Sequence, residues 1–171
     1  MGLNSFLKLV EIQTKVASIT PFLLGSIFAC YRYKQFGWKN FLFMLFSLLC
    51  FDMATTAINN YLDYKKAKIT KGFGYEQHNA IVRYQLTEAS VLFVIVILLI
   101  LAVGLGILLF LNTSLVVLMI GMVSFTVGIL YTFGPIPISR MPLGEIFSGL
   151  FMGFVILLLS VYIHVVGQNL I

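Results

Sequence analysis

Apolar residues in this chain come in long runs, and the charged residues stand between them. The runs cover about residues 13–31, 40–61, 87–111, 115–133 and 143–166, each near the ~20 residues that carry a helix across a bilayer. No charged residue occurs from Ala89 to Ser139, too long a stretch for one crossing. Asn112-Thr113-Ser114 is the natural break in it, with Thr113 or Ser114 as the helix N-cap. Residues 1–11 set Phe6, Leu7, Leu9 and Val10 against Lys8 and Glu11, an amphipathic lead-in expected to lie at the membrane interface. A cleaved signal peptide is not expected, because Lys15 interrupts the apolar region and no small-residue cleavage pattern precedes Arg32. The pattern predicts an all-α transmembrane chain, a single membrane domain of about five spans with one long polar loop over 62–86.

Composition agrees with that reading. Of 171 residues, 60% are hydrophobic and 10% charged, far too few charges for a soluble domain of this length. The net charge of +5 is spread between apolar runs, so it speaks for the positive-inside rule and against nucleic-acid binding. Lys8, Lys15, Lys65, Lys66, Lys68, Lys71, Arg83 and Arg140 fall on one side of the membrane, and Arg32, Lys34 and Lys39 on the other. The heavier side should be cytoplasmic, which puts the N-terminus and the long loop in the cytoplasm of a multi-pass cell-membrane protein. Cys30 and Cys50 have no metal-like spacing and read as small hydrophobes.

Candidate chemistry lies in the second run. At about 100° per residue, Asp52, Thr55, Thr56, Asn59 and Asp63 share one helix face. Ionisable residues inside membrane segments face a protein interior or a cavity and mark a site by default. Asn59 and Asp63, four residues apart, offer hard oxygen ligands of the kind Mg²⁺ uses together with water and substrate phosphates. The neighbouring lysines and Arg83 can neutralise a diphosphate. Such a combination suits a substrate with a phosphorylated head and a hydrocarbon tail. A polar helix end bonded to its neighbours, with lysines at the lipid headgroups, is the simpler account of the same spacing.

Other residues carry structural expectations. Asp52 reads either as a hydrogen-bonded acid bracing Thr55 and Thr56 or as a cavity carboxylate. Lys15 is expected to snorkel to the headgroups. His78 reads as a solvated loop residue and His164 as a packing residue. Glu145 is favoured by the start of its helix, and Gly149 and Gly153 form a small-xxx-small pair for close helix contact. The prolines of segment 134–142 forbid a continuous helix there.

Asn59-Asn60-Tyr61-Leu62-Asp63, at the end of a second span, resembles the first aspartate-rich motif of the UbiA-type intramembrane prenyltransferases. Tyr131-Thr132-Phe133-Gly134-Pro135-Ile136-Pro137 with Leu143-Gly144-Glu145 is similar to a helix connection of the dihydroxynaphthoate polyprenyltransferase branch. Glu11-Ile12-Gln13-Thr14-Lys15, with Pro21 and Gly25, sits where that branch has its first-helix signature. The resemblance implies Mg²⁺-dependent transfer of a polyprenyl group from polyprenyl diphosphate to an aromatic acceptor such as dihydroxynaphthoate, a step towards menaquinone. On that footing Asn59 and Asp63 hold the metal and are the catalytic pair. Asn60, Lys66, Arg83 and Asp52 contact substrate, and Tyr131 and Arg140 stand on the acceptor side.

The sequence departs from the motif at Asn60 and Ala67, so only Asp63 keeps a motif carboxylate. Family members have about nine spans and a second aspartate-rich motif after the sixth, so this chain corresponds to the N-terminal half of that bundle. The rest of a longer chain, or a partner chain, would complete the expected site. The competing function is a non-catalytic membrane protein that binds isoprenoids or assembles with an enzyme.

Overall fold

The computed structural model describes residues 1–70, 79–132 and 144–166, with the side chains of 67–70 and 132 left undescribed. Among these residues the chain is helical and has no strand. A short helix α1 (Leu3–Leu9) leads to a 3₁₀ turn (Ile12–Lys15) and then α2 (Val16–Tyr33). After α3 (Trp38–Thr70) come α4 (Ala80–Arg83), α5 (Glu88–Leu111) and α6 (Leu115–Thr132). The last segment begins as α7 (Gly144–Ser148), widens into π-helical turns over Gly149–Val155 and ends as α8 (Ile156–Val166). Four segments are long and apolar enough to cross a membrane: Ile12–Tyr33, Trp38–Lys66, Glu88–Leu111 and Gly144–Val166. Leu115–Tyr131 is a shorter apolar helix, so the architecture is multi-pass with about five spans.

The 33 residues of α3 make it about 50 Å long, well beyond the ~30 Å hydrocarbon core. Where the polar composition suggests a loop from residue 62, the helix instead continues through Asp63, Lys65 and Lys66. Tyr61 and Tyr64 supply the reason: both pack against the cluster of Leu9, Ala57, Ala80, Ile81, Val91 and Ile95, so this end keeps a buried face. α3 lies against α2, α5, α6 and α8. On its other side α2 packs along α8. Gly25 permits this close approach, since a Cβ there would lie 2.6 Å from the Leu157 carbonyl oxygen.

Gly149 and Gly153 do not make the close contact their spacing suggests. Among the described residues nothing lies within 4 Å of a Cβ built on either. They stand in the π-helical turns, a local widening that is frequent at functional sites. The lead-in is also more than an interfacial float: Leu9 and Val10 are fully buried against the bundle. At the break after α5, Asn112 and Thr113 donate back to the carbonyls of Leu108 and Leu109 at 2.7 Å each. These side chains close α5, and Ser114 meets the Tyr162 hydroxyl at 3.1 Å. Two residues further along α8, buried His164 accepts the Gly37 N–H at 3.1 Å and stacks on Phe36, as a packing residue would.

Candidate active site

Helices α2, α3, α5 and α6 and the last segment enclose a cavity of about 540 Å³, a size typical of small-molecule sites. Most of its wall is apolar, with Phe51, Phe125, Phe147 and Phe151 contributing aromatic faces. Phe51 and Phe125 stack at 4.0 Å between centroids. That stack depends on Gly128, because a Cβ there would come 2.6 Å from Phe51 Cε1. Phe151, Met152 and Val155, all in the π-helical turns, line the cavity as well.

The polar lining is concentrated at Thr14, Ser18, Asp52, Thr55, Thr56 and Asn59. This brings four members of the α3 stripe to the cavity: Asp52, Thr55, Thr56 and Asn59. Tyr131 lines it as well. Asn60, Asp63, Lys66 and Arg83 are not in the lining. Asp63 lies one turn beyond Asn59, about 6 Å along the axis, and is half-buried. Lys66 and Arg83 are exposed, the latter with its guanidinium 5.9 Å from the Tyr84 ring centroid. Arg140, Lys71, Glu76, His78 and the proline-rich segment lie outside the described residues, as does the side chain of Lys68.

Asn59 and Asn60 are adjacent in sequence but differ in what they can offer. Asn59 is exposed to the cavity and makes no hydrogen bond among the described residues. Asn60 donates to the Leu9 carbonyl at 2.8 Å and reaches Glu11 Oε1 at 3.4 Å, tying the lead-in to α3. Its own carbonyl accepts from Asn79 Nδ2 at 2.7 Å. Asn79 in turn caps α4 by accepting the Ile81 N–H, so the far end of the long loop is pinned beside the motif. Lys65 pairs with Glu88 at 2.5 Å, which anchors the start of α5 to the same end of α3.

Asp52 is where the structure says most. Its carboxylate does not brace Thr55 and Thr56; both hydroxyls donate to its backbone carbonyl, at 3.0 and 2.9 Å. The carboxylate instead meets Lys15 Nζ at 2.7 Å through Oδ1 and the Ser18 hydroxyl at 2.6 Å through Oδ2. Lys15 therefore does not snorkel. Its side chain is 2% exposed, that of Asp52 is 11%, and Nζ also reaches Thr56 Oγ1 at 2.6 Å and the Asp52 carbonyl at 3.1 Å. A buried ammonium needs such an arrangement, since an unpaired charge in this setting is strongly disfavoured. Lys15 and Ser18 are thus members of the site that residue-by-residue reading missed. The available signal was one basic and one acidic residue in two successive apolar runs, which membrane helices commonly pair.

A metal is implied by the motif, and Asn59 with Asp63 has the right donor chemistry for it. Both offer oxygen, they stand one turn apart, and Asn59 is uncommitted. Among the described residues no cluster of three or more His, Cys, Asp or Glu could hold a metal alone. A site with two protein oxygens is therefore one that substrate phosphates and water would complete.

The profile of the UbiA prenyltransferase family matches residues 18–170. A 1,4-dihydroxy-2-naphthoate octaprenyltransferase of Bacillus subtilis (strain 168) is 36% identical over 160 residues, covering 92% of this chain. The chain spans 50% of the length of that relative. No solved structure matches. The span order, the motif at the end of α3 and a family match over nearly the whole chain agree, and the chain belongs to the UbiA prenyltransferase family.

Proposed function

We propose that this chain takes part in Mg²⁺-dependent transfer of a polyprenyl group from polyprenyl diphosphate to dihydroxynaphthoate, in menaquinone biosynthesis. The observation that carries this reading is the cavity's uneven lining, apolar along most of its wall, with its charged and amide groups confined to the α3 stripe. An isoprenoid has the same division. In this reading Asn59 and Asp63 hold the metal at the polar end. What a bound Mg²⁺ supplies is neutralisation of the diphosphate oxygens as charge develops on them. Lys66 and Arg83 approach the same anion from the membrane surface. The apolar wall shields the allylic cation from water, with Tyr131 and Arg140 towards the acceptor and Asp52 in contact with it.

Asn60 serves this site by holding α1 and the α4 loop in register with the metal pair, which its bonds to Leu9 and Asn79 support. The polar end faces the cytoplasm of the cell membrane, where a water-soluble acceptor would enter.

The test is prenylation of dihydroxynaphthoate by membranes carrying the full reading frame that contains this chain, supplied with Mg²⁺ and a polyprenyl diphosphate. Product should form and should disappear on chelation with EDTA. Turnover that persists in Asp63→Ala would rule the assignment out.

A further inference from the structure

The polar patch beside the cavity has a definite sense of polarity, set by where its protons go. An ammonium has three donors, and those of Lys15 have three acceptors within reach: Asp52 Oδ1, the Asp52 carbonyl and Thr56 Oγ1. Thr14 donates to the Glu11 carbonyl at 2.8 Å, and Thr55 and Thr56 donate to that of Asp52. The Ser18 proton goes to Asp52 Oδ2 or to the Lys15 carbonyl. Every donor of Thr14, Lys15, Ser18, Thr55 and Thr56, the side chains around the Asp52 carboxylate, is engaged, and the uncommitted Asn59 amide stands about two turns further along α3. What remains towards the cavity is lone pairs, chiefly on Asp52, whose carboxylate has about four acceptor sites and uses two.

A patch of acceptors next to a paired carboxylate selects its ligand. An anion, whether diphosphate or ring carboxylate, finds no free donor among the side chains around the Asp52 carboxylate. A divalent cation would meet an ammonium already 2.7 Å from the carboxylate oxygen it needs. A neutral hydroxyl satisfies the patch, because it brings the missing proton and no charge. We infer that Asp52, with Lys15 as its positioning residue, accepts a hydrogen bond from a ring hydroxyl of the aromatic acceptor and so orients that ring in the cavity. The inference rests on the prenyltransferase reading and adds which group of the acceptor is read, and by what.

The experiment is a fluorescence titration of the chain in nanodiscs, under argon, with dihydroxynaphthoate and with its 1,4-dimethoxy analogue. A hydrogen bond to a charged acceptor predicts a preference of about 10- to 100-fold for the hydroxyl form in the unmodified chain. In the double variant Lys15→Met/Asp52→Leu, which exchanges the buried pair for apolar side chains of similar size, the two naphthoates should bind within about threefold of each other. General damage to the fold would weaken both ligands and leave their ratio alone. A hydroxyl preference that survives in the double variant, or one that EDTA abolishes in the unmodified chain, overturns the inference while leaving the prenyltransferase reading standing. Failure of both naphthoates to bind the unmodified chain overturns both.

Discussion

Removing Lys15 alone should damage this protein more than removing Lys15 and Asp52 together. In Lys15→Met the Asp52 carboxylate stays in place, 11% exposed, and loses its ammonium partner at 2.7 Å. Thr56 and the Asp52 carbonyl lose a donor each. Breaking a buried ion pair by deleting one member costs about 3–5 kcal/mol, because the other charge remains buried without compensation. Ser18 still donates to Oδ2 and the cavity admits some solvent, so the lower end applies, about 3 kcal/mol or a hundredfold in the folding equilibrium. Asp52→Leu alone strands the ammonium and should cost a similar amount. In Lys15→Met/Asp52→Leu no charge is left behind, and the loss should fall to about 1 kcal/mol or less.

The measurement is SDS-induced unfolding in mixed micelles, followed by far-ultraviolet circular dichroism because nearly all of the signal is helical. The four proteins form a double-mutant cycle whose coupling term isolates the pair. The reasoning is refuted if the double variant unfolds at or below the SDS fraction of the weaker single. That outcome would mean the pair's energy comes from side-chain packing alone, with no penalty for the stranded charge.

Gly25→Ala should destabilise the chain by about 1–3 kcal/mol in the same unfolding assay, because the new methyl meets the Leu157 backbone, which cannot rotate away. Gly128→Ala should spare stability more but reduce the affinity for a polyprenyl diphosphate, measured by equilibrium binding in nanodiscs, since Phe51 must swing from its stack on Phe125 into the cavity. Asp63→Ala should abolish Mg²⁺-dependent binding of the diphosphate while leaving the helical content unchanged by circular dichroism. Asn79→Ala should cost about 1 kcal/mol as a lost cap and speed amide exchange in α4, read by hydrogen–deuterium exchange, because it also lets go of the Asn60 carbonyl.

How much of this could be read in advance depended on the range of the interaction. The spans follow from local hydropathy, and the stripe from Asp52 to Asn59 follows from helical periodicity, so both appear in the sequence pattern and in the fold. The Lys15–Asp52 bond joins residues 37 positions apart, and no local period reveals it. Taken singly, a lysine near a span end is usually a snorkelling one, which is the prior that misled. The glycines show the same division. A Cβ built on Gly149 or Gly153 meets nothing described within 4 Å despite the familiar spacing, whereas Gly25, spaced in the same way from Ala29, makes the close crossing with α8. Spacing can propose a contact; only the neighbouring helix decides whether a surface is there to meet it.

On the proposed function, the distribution of charge along α3 lets one helix serve two unlike substrates. Within the cavity its acid is neutralised by Lys15, so that segment presents polarity without net charge, which an isoprenoid tail and an aromatic ring can both lie beside. Beyond Asn59 the stripe passes Asp63 and reaches Lys66 as the helix leaves the hydrocarbon. Metal and diphosphate charges are best met there, where water can still solvate them. Had Asp52 been left unpaired, the cavity would have carried a negative charge next to the position at which the proposed site would hold a diphosphate, and the two would repel. The pairing with Lys15 removes that conflict, so in the reading advanced here the buried ion pair is a condition for binding and only secondarily a source of stability.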